Sequence, residues 1–419
     1  MHARPSQYLF VNPVWGEAYV ERFLKLSLPA QLSAGNMQAM PRDRSHYLIC
    51  TRERHFAAIR ESAAFRRLEQ LVPASLLSLD DLPDPGSNPN PHELQTAAFN
   101  RGLRFGRGRN AAFIFLTPDV LLADGAFSRL VALCEERGKR VVTIASIRMC
   151  VDGASECLDD HRTGTPGEIA IPARDLVRHC LGDIHPISAA HIVTEHGVKA
   201  AQHHYWPAGT DGFLIHAFHL SPILVWPEVN GVSIRSTLDD DYVGRACPTR
   251  AGWYTSTDSD EICQVEFSAR NHKSHIVSPF YLTEAHLRHF MAASTNETHR
   301  ELFRTAFRFH ASPVDPTVWA PVEAEAAAYV TGLLDRFERD HVQPLRAVAA
   351  ARPASARRRL LSRVFAPAKA GYRLLALPLY RYLDRMNSRM IELKNDIEIL
   401  QAEQQRLKEK LGDGDRQAA

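Results

Sequence analysis

Over the first 145 residues, short apolar runs alternate with stretches whose apolar positions recur at helical spacing. Residues 8–14 predict a strand and 17–26 a helix; 47–50 and 76–79 predict two more strands. A Pro/Asn/Gly-rich loop, DDLPDPGSNPNP, precedes a helix over 92–105 that sets Leu94, Ala97, Ala98, Gly102 and Phe105 on one face. AAFIFL, at 111–116, is the cleanest strand. The next helix buries Phe127, Leu130, Val131 and Cys134, with Gly138 placed to stop it, and 140–144 returns to strand. Such alternation gives a mostly parallel sheet with helices on both faces, and ligands of these sheets bind outside the carboxyl ends of the strands.

From 150 to 280 the pattern loosens into a helix at 173–181 and the short strands GFLIHAF, PILVW and ICQVEF. The stretch 281–341 predicts a helical extension broken at Pro313, Pro316 and Pro321, and 342–382 a basic linker. Beyond it, Leu383, Met386, Met390, Leu393, Ile397, Leu400, Gln404, Leu407 and Leu411 fall at alternating steps of three and four. That is a heptad seam, and it predicts a coiled coil over 383–411. Leucine at three of its four d positions leans towards a dimer; the mixed a positions leave a trimer open.

Composition places the chain among ordinary globular proteins, with 45% hydrophobic and 23% charged residues, and no run approaches the ~20 apolar residues of a membrane span. The N-terminus lacks a signal-peptide layout, so a cytoplasmic protein is expected. Seven scattered cysteines without a C-x-x-C pair read as buried thiols rather than a zinc site. The net charge of +2 conceals an asymmetry: 355–381 holds seven Lys/Arg and no acid, which leaves −5 on the rest. A nucleic-acid partner is therefore not expected. The basic, leucine-rich 355–381 segment suits an anionic membrane surface, or docking on the acidic remainder.

The candidate chemistry begins at 100–127, where a helix carrying Asn100 and Gly102 leads into the apolar strand and Asp119 stands just past its end. A carboxylate there holds a hard divalent cation through oxygen, and the cation neutralises a diphosphate. These residues resemble the bacterial GT-A glycosyltransferases, whose sugar-nucleotide half carries N-x-G, an apolar strand and D-x-D. The resemblance spans roughly 6–265 and is strongest over 94–145. It implies an α/β, GT-A-like (Rossmann-like) fold and a nucleotide-diphosphate sugar as donor. Thr117-Pro118-Asp119 stands in the D-x-D place, so only the last Asp matches, and the resemblance puts a divalent cation, Mn or Mg, on Asp119. The other reading of Asp119 is a cap on the following helix. Val14-Trp15-Gly16 ends the first strand and Thr51-Arg52 the second. The resemblance brings the nucleobase to the first of these, where Trp15 stacks and Gly16 admits close backbone approach. Trp15 reads equally as core, Thr51 and Asn100 join the donor-binding set, and Arg52 meets a phosphate or solvent.

In TDGFLIHAFHLSPILVWP, His216 and His219 lie near a strand end, and the resemblance makes His219 the further metal ligand; a satisfied core histidine is the alternative. Asp239, Asp240 and Asp241 follow. Their placement is similar to the family's acidic base motif, with Asp240, beside Asp239, taking the acceptor hydroxyl's proton; an acidic turn is the alternative. Asp258-Ser259-Asp260-Glu261 holds a literal D-x-D, but it comes late for the family's order and reads as a hairpin turn. No P-loop or G-x-S-x-G occurs. The expected activity is sugar transfer to a hydroxyl acceptor in cell-envelope polysaccharide or glycolipid assembly, by a self-associating protein peripheral at the inner membrane. The alternative is a non-catalytic membrane-associated adaptor built on a degenerate transferase domain, which Thr117 favours. A metal-dependent hydrolase finds no H-E-x-x-H.

Overall fold

The computed structural model describes residues 4–82, 91–152, 158–235, 237–272, 274 and 276–343. Met1–Phe337 forms one compact unit and Glu338–Ala419 a second. The coiled coil at 383–411, the basic segment at 355–381 and all but the first two residues of the 342–382 linker lie outside the described residues.

The larger unit is built on a seven-stranded sheet. Its strands are β1 (Gln7–Pro13), β2 (Ser45–Thr51), β3 (Ala74–Ser78), β4 (Ala111–Phe115), β6 (Val141–Ile144), β10 (Ser221–Val225) and β11 (Trp253–Thr255), in the order β11-β6-β10-β4-β1-β2-β3. All neighbours are parallel except β10, which runs antiparallel to both β4 and β6. The predicted mostly parallel α/β sheet flanked by helices is what forms. β1 shows why. Tyr8 and Phe10 face one core with Tyr47, Ile114 and Ile144, while Leu9 and Val11 face another with Leu48, Phe113 and Val225. A sheet covered on both faces needs apolar residues at every position, and all five residues of β4 are buried. The helix Pro91–Phe105 lies close against β1 because Gly102 faces it: a Cβ there would come within 2.5 Å of Val11 Cγ1.

Two small sheets complete the unit. One, in the order β5-β12-β7, joins β5 (Val120–Leu122), β12 (Gln264–Ser268) and β7 (Ile147–Cys150). The other, in the order β13-β9-β8, joins β13 (Ala306–His310), β9 (Gly212–Ala217) and β8 (His203–Pro207). Together they enclose a further core that includes Leu121, Ile147, Ile215, Val265 and Phe309.

Three expectations change. The 281–341 stretch is not helical throughout: Glu284–Ser294 and Glu297–Phe303 are helices, but β13 follows and pairs antiparallel with β9. Pro321 does not break its segment. The helix Pro316–Phe337 runs through it, started by Asp315, whose carboxylate accepts from Thr317 N at 2.8 Å, and held by the buried stripe Trp319, Ala326, Val330, Leu333 and Phe337. Asp258–Glu261 is a turn but not a hairpin, because β11 and β12 belong to different sheets. The six described cysteines are free and buried, as expected of inert thiols. No helix among the described residues is long and apolar enough to cross a membrane.

Candidate functional site

Strands β1, β2 and β3 step outward to one side and β4 lies on the other, so the order reverses between β1 and β4. In sheets of this kind that reversal opens a crevice at the carboxyl ends. Trp15 and Gly16 follow β1 there, and Thr117 and Asp119 follow β4. Trp15 is half-buried against the Leu9–Val11 side of the core. Gly16 adopts φ 80°, which favours glycine, and its carbonyl accepts from Tyr19 N and Val20 N at the start of the first helix. Thr51, at the end of β2, is fully buried with no hydrogen-bond partner for its hydroxyl. Arg52 is engaged by the carbonyls of Leu79 and Leu82. Asn100 grips Ile234 with both ends of its amide, at 2.8 Å each. Its visible work is to hold a loop.

Asp119 leads into β5, and its carbonyl accepts from Phe267 N on β12 at 2.9 Å. Burial raises its carboxyl above the ordinary range, and the charge of Glu266 adds to this; Arg148 and the Thr117 hydroxyl pull the other way. Arg148, on β7, bonds Glu266 and reaches Ser268 Oγ at 2.9 Å. Two carboxylates and one guanidinium thus share the end of β4, with the Tyr19 phenol beside them. Arg148 and Glu266 carried no motif. Their one sequence signal is a lone charge inside an apolar strand.

The second constellation lies where β9 turns into β10. The Asp239 carboxylate can only accept, so His219 donates Nδ1–H to its Oδ2 at 2.9 Å; the Thr237 hydroxyl donates to Oδ1 at 2.7 Å. Asp239 sits on a π-helical turn, Leu238–Tyr242, that also carries Asp240, whose side chain lies outside the described set. His299 Nε2 stands 3.9 Å from the same Oδ2, and the two imidazole rings are 4.4 Å apart. Burial alone would raise the Asp239 carboxyl, but the hydrogen bond and charge of His219, with Thr237 and His299, hold it down at about 2. His216 does not join them. It is buried, with Nδ1 on the carbonyl of Phe303 at 2.9 Å, and is the satisfied core histidine of the pair.

A cleft of about 320 Å³ gathers Thr117, Ser146, His203, His219, Asp239 and Glu266. It opens at the carboxyl ends of β4 and β6, beside the amino end of β10, and Trp15, Gly16, Thr51 and Asn100 do not line it. The expected cation pair, Asp119 with His219, is not assembled. Among the described residues His219 converges within 4.8 Å only with Asp239 and His299, and Asp119 belongs to no such group. Nor does the His219–Asp239–His299 group suit a metal. His299 Nδ1 accepts the Asn296 N–H at 3.2 Å as a helix cap, so its proton sits on Nε2, the nitrogen a metal would need. His299 was missed in the sequence, where Asn296 and His299 at capping spacing were the available signal.

A second group, Asp258, Asp260 and His310, contains the literal D-x-D. Arg174 grips Asp260, while His310 faces the Ser312 carbonyl at 2.7 Å through Nδ1 and Asp258 at 2.9 Å through Nε2. Both of these partners are acceptors, so the imidazole is doubly protonated. Burial lowers its pKa, but Asp258 and Ser312 outweigh this and raise it. Its contribution to stability is therefore complete below pH ~6.5 and lost as pH rises through the elevated folded value. His310→Asn is expected to cost about 2 kcal/mol at pH 6 and clearly less at pH 9, read from urea unfolding at both. An equal loss at the two pH values contradicts the ion pair.

No protein-family model matches the chain, and no curated protein matches it. Among solved structures, S. aureus TarS overlaps 83% of this chain at 9% identity and a TM-score of 0.31, and the chain spans 46% of that protein's length. S. aureus TarS 1-349 in complex with UDP-GlcNAc overlaps 83% of this chain and 77% of its own, at 10% identity and a TM-score of 0.33. Overlap this loose sets neither ligand nor residue roles here.

Proposed function

We propose that the protein transfers a sugar from a nucleotide-diphosphate sugar to a hydroxyl acceptor, in assembly of a cell-envelope polysaccharide or glycolipid. The observation that carries this reading is the cleft at the carboxyl ends of β4 and β6, next to the strand-order reversal, with a carboxylate–imidazole pair on its wall. In this reading the nucleotide lies at the ends of β1 and β4, near Trp15, Gly16 and Asp119, and the acceptor approaches from the side of His219 and Asp239. The cation at Asp119 enters no step, because its expected ligands do not converge. The heptads at 383–411 pair copies of the chain, and 355–381 rests on anionic lipid.

Calorimetry with a panel of nucleotide-diphosphate sugars, with and without Mn²⁺, tests it. The wild-type protein is expected to bind at least one of them, and Asp119→Asn to weaken that binding about tenfold, the loss of one hydrogen bond of ~1.4 kcal/mol that its carboxylate accepts from a donor hydroxyl. Unchanged affinity removes Asp119 from the site; no binding by the wild type overturns the reading. The non-catalytic adaptor draws support from one observation, the charge of Arg148 acting on Asp119 where the resemblance places a cation.

A further inference from the structure

A carboxylate that only accepts hydrogen bonds fixes the tautomer of the imidazole it holds. With its proton on Nδ1, pointing to Asp239, a neutral His219 carries its lone pair on Nε2. The side chain is 28% exposed and lines the cleft, and Nε2 meets no hydrogen-bond partner among the described residues. Asp239 is itself fixed from another side by the Thr237 hydroxyl, and His299, whose tautomer is set by its capping bond to Asn296, brings Nε2 to 3.9 Å from the same carboxylate. The turn before β10 therefore presents a basic nitrogen to the cleft, with an anion behind it.

We infer that His219, rather than Asp239, is the group that takes the acceptor's proton, and that Asp239 is its positioning residue. This rests on the transferase reading given above. In the step, the acceptor oxygen forms its bond to the anomeric carbon as its proton passes to His219 Nε2. The bond from that carbon to the diphosphate oxygen breaks, and the nucleoside diphosphate leaves with the electron pair. The imidazolium that forms is stabilised by Asp239, which stays ionised throughout. The low affinity of Asp239 for a proton makes it a poor base at neutral pH and a good counter-ion. Among the described residues, the charged or titratable groups around His219 are Asp239 on its turn, His299 on its helix, His203 on β8, and Glu266 and His92 on the cleft wall. Burial, together with the neighbouring histidines and Arg148, drives the pKa of His203 well down, so it stays neutral and leaves the Asp239–His219 pair its charge balance.

Two readouts on the full-length protein separate this inference from the reading beneath it. Long-range ¹H–¹⁵N spectra of the ¹⁵N-histidine-labelled chain at pH 8, with His219→Gln to assign the ring, need no substrate. They are expected to show His219 protonated at Nδ1 and bare at Nε2, and Asp239→Asn is expected to shift it towards the other tautomer. A wild-type ring protonated at Nε2 overturns the inference, even where nucleotide sugars bind. The second readout is transfer from whichever donor calorimetry identifies. His219→Gln is expected to lower kcat about 10²–10⁴-fold and to remove the acidic limb of the pH–rate profile, while donor affinity stays within about threefold. Asp239→Asn is expected to lower kcat and displace that limb. Retained kcat in His219→Gln, or Mn²⁺-dependent turnover with Mn²⁺ broadening the His219 Nε2 signal alone, overturns it. Absence of any donor binding instead removes the transferase reading, and with it the proton-transfer role, whatever the tautomer.

Discussion

Replacing Arg148 by methionine is expected to destabilise the larger unit by roughly 2–3 kcal/mol at pH 7.5 and by much less at pH 4.5. Arg148 bonds Glu266 directly and offsets the charge of Asp119. Its side chain is 25% exposed, so the loss falls below the ~3–5 kcal/mol typical when one member of a fully buried pair is removed. The sign with pH follows from Asp119. Its carboxyl is already raised in the folded chain, by burial and then by Glu266, so the folded state keeps this proton longer than the unfolded state does. Its ionisation therefore costs stability as pH climbs from the unfolded value of about 3.9 through the folded one. Without Arg148 the folded value rises further, and the deficit deepens in the same direction. Urea unfolding of the two proteins at both pH values is the measurement. A deficit equal at pH 4.5 and 7.5 means that the arginine matters for packing, not for charge.

Phe303→Ala is expected to cost about 3–5 kcal/mol, the range for emptying a buried aromatic site. The Phe303 ring is fully buried and stacks on Phe218 with centroids 3.7 Å apart and planes within 3°. It also contacts the edges of His204 and His216, and its carbonyl receives His216 Nδ1. His204 is fully buried too, and burial lowers its pKa to about 3. Phe303→Leu, which refills most of the space, is expected to lose under about 2 kcal/mol. The same helix carries His299 towards Asp239, so the alanine variant is also expected to broaden the His219 resonance. A cost under 1.5 kcal/mol for alanine means that the Phe218 layer closes over the gap.

The sheet could be read from the chain because its strands are apolar on both faces. AAFIFL is β4 almost to the residue, and PILVW is β10. What the pattern could not convey was pairing. Nothing in PILVW says that it runs against its neighbours, and AFRFH, five residues between two helical stretches, is too short for its alternation to outweigh them. The site divides in the same way. Asp119 and His219 were visible as polar residues at strand ends, but their partners depend on chain crossings. Asp239 meets His219 because β10 carries the chain away from the cleft and the 226–237 segment brings it back. His299 arrives from a helix eighty residues beyond His219. The resemblance to a D-x-D arrangement joined Asp119 to His219. The folded chain instead gives each its own partner, the charge of Arg148 for Asp119 and the carboxylate of Asp239 for His219.

The pairing of β13 with β9 also determines where the chain can be shortened. His219 lies two residues beyond β9, whose neighbours are β8 on one side and β13 on the other. A fragment ending near 280, where the sequence pattern changes, leaves a whole edge of β9 with unpaired N–H and C=O groups flanked by Leu214 and Ile215. Such an edge recruits strands from other molecules. Ending after Phe337 keeps the strand paired. The last sixth or so of the compact unit therefore protects the loop of His219 from aggregation, although it adds no described side chain to the wall of the cleft.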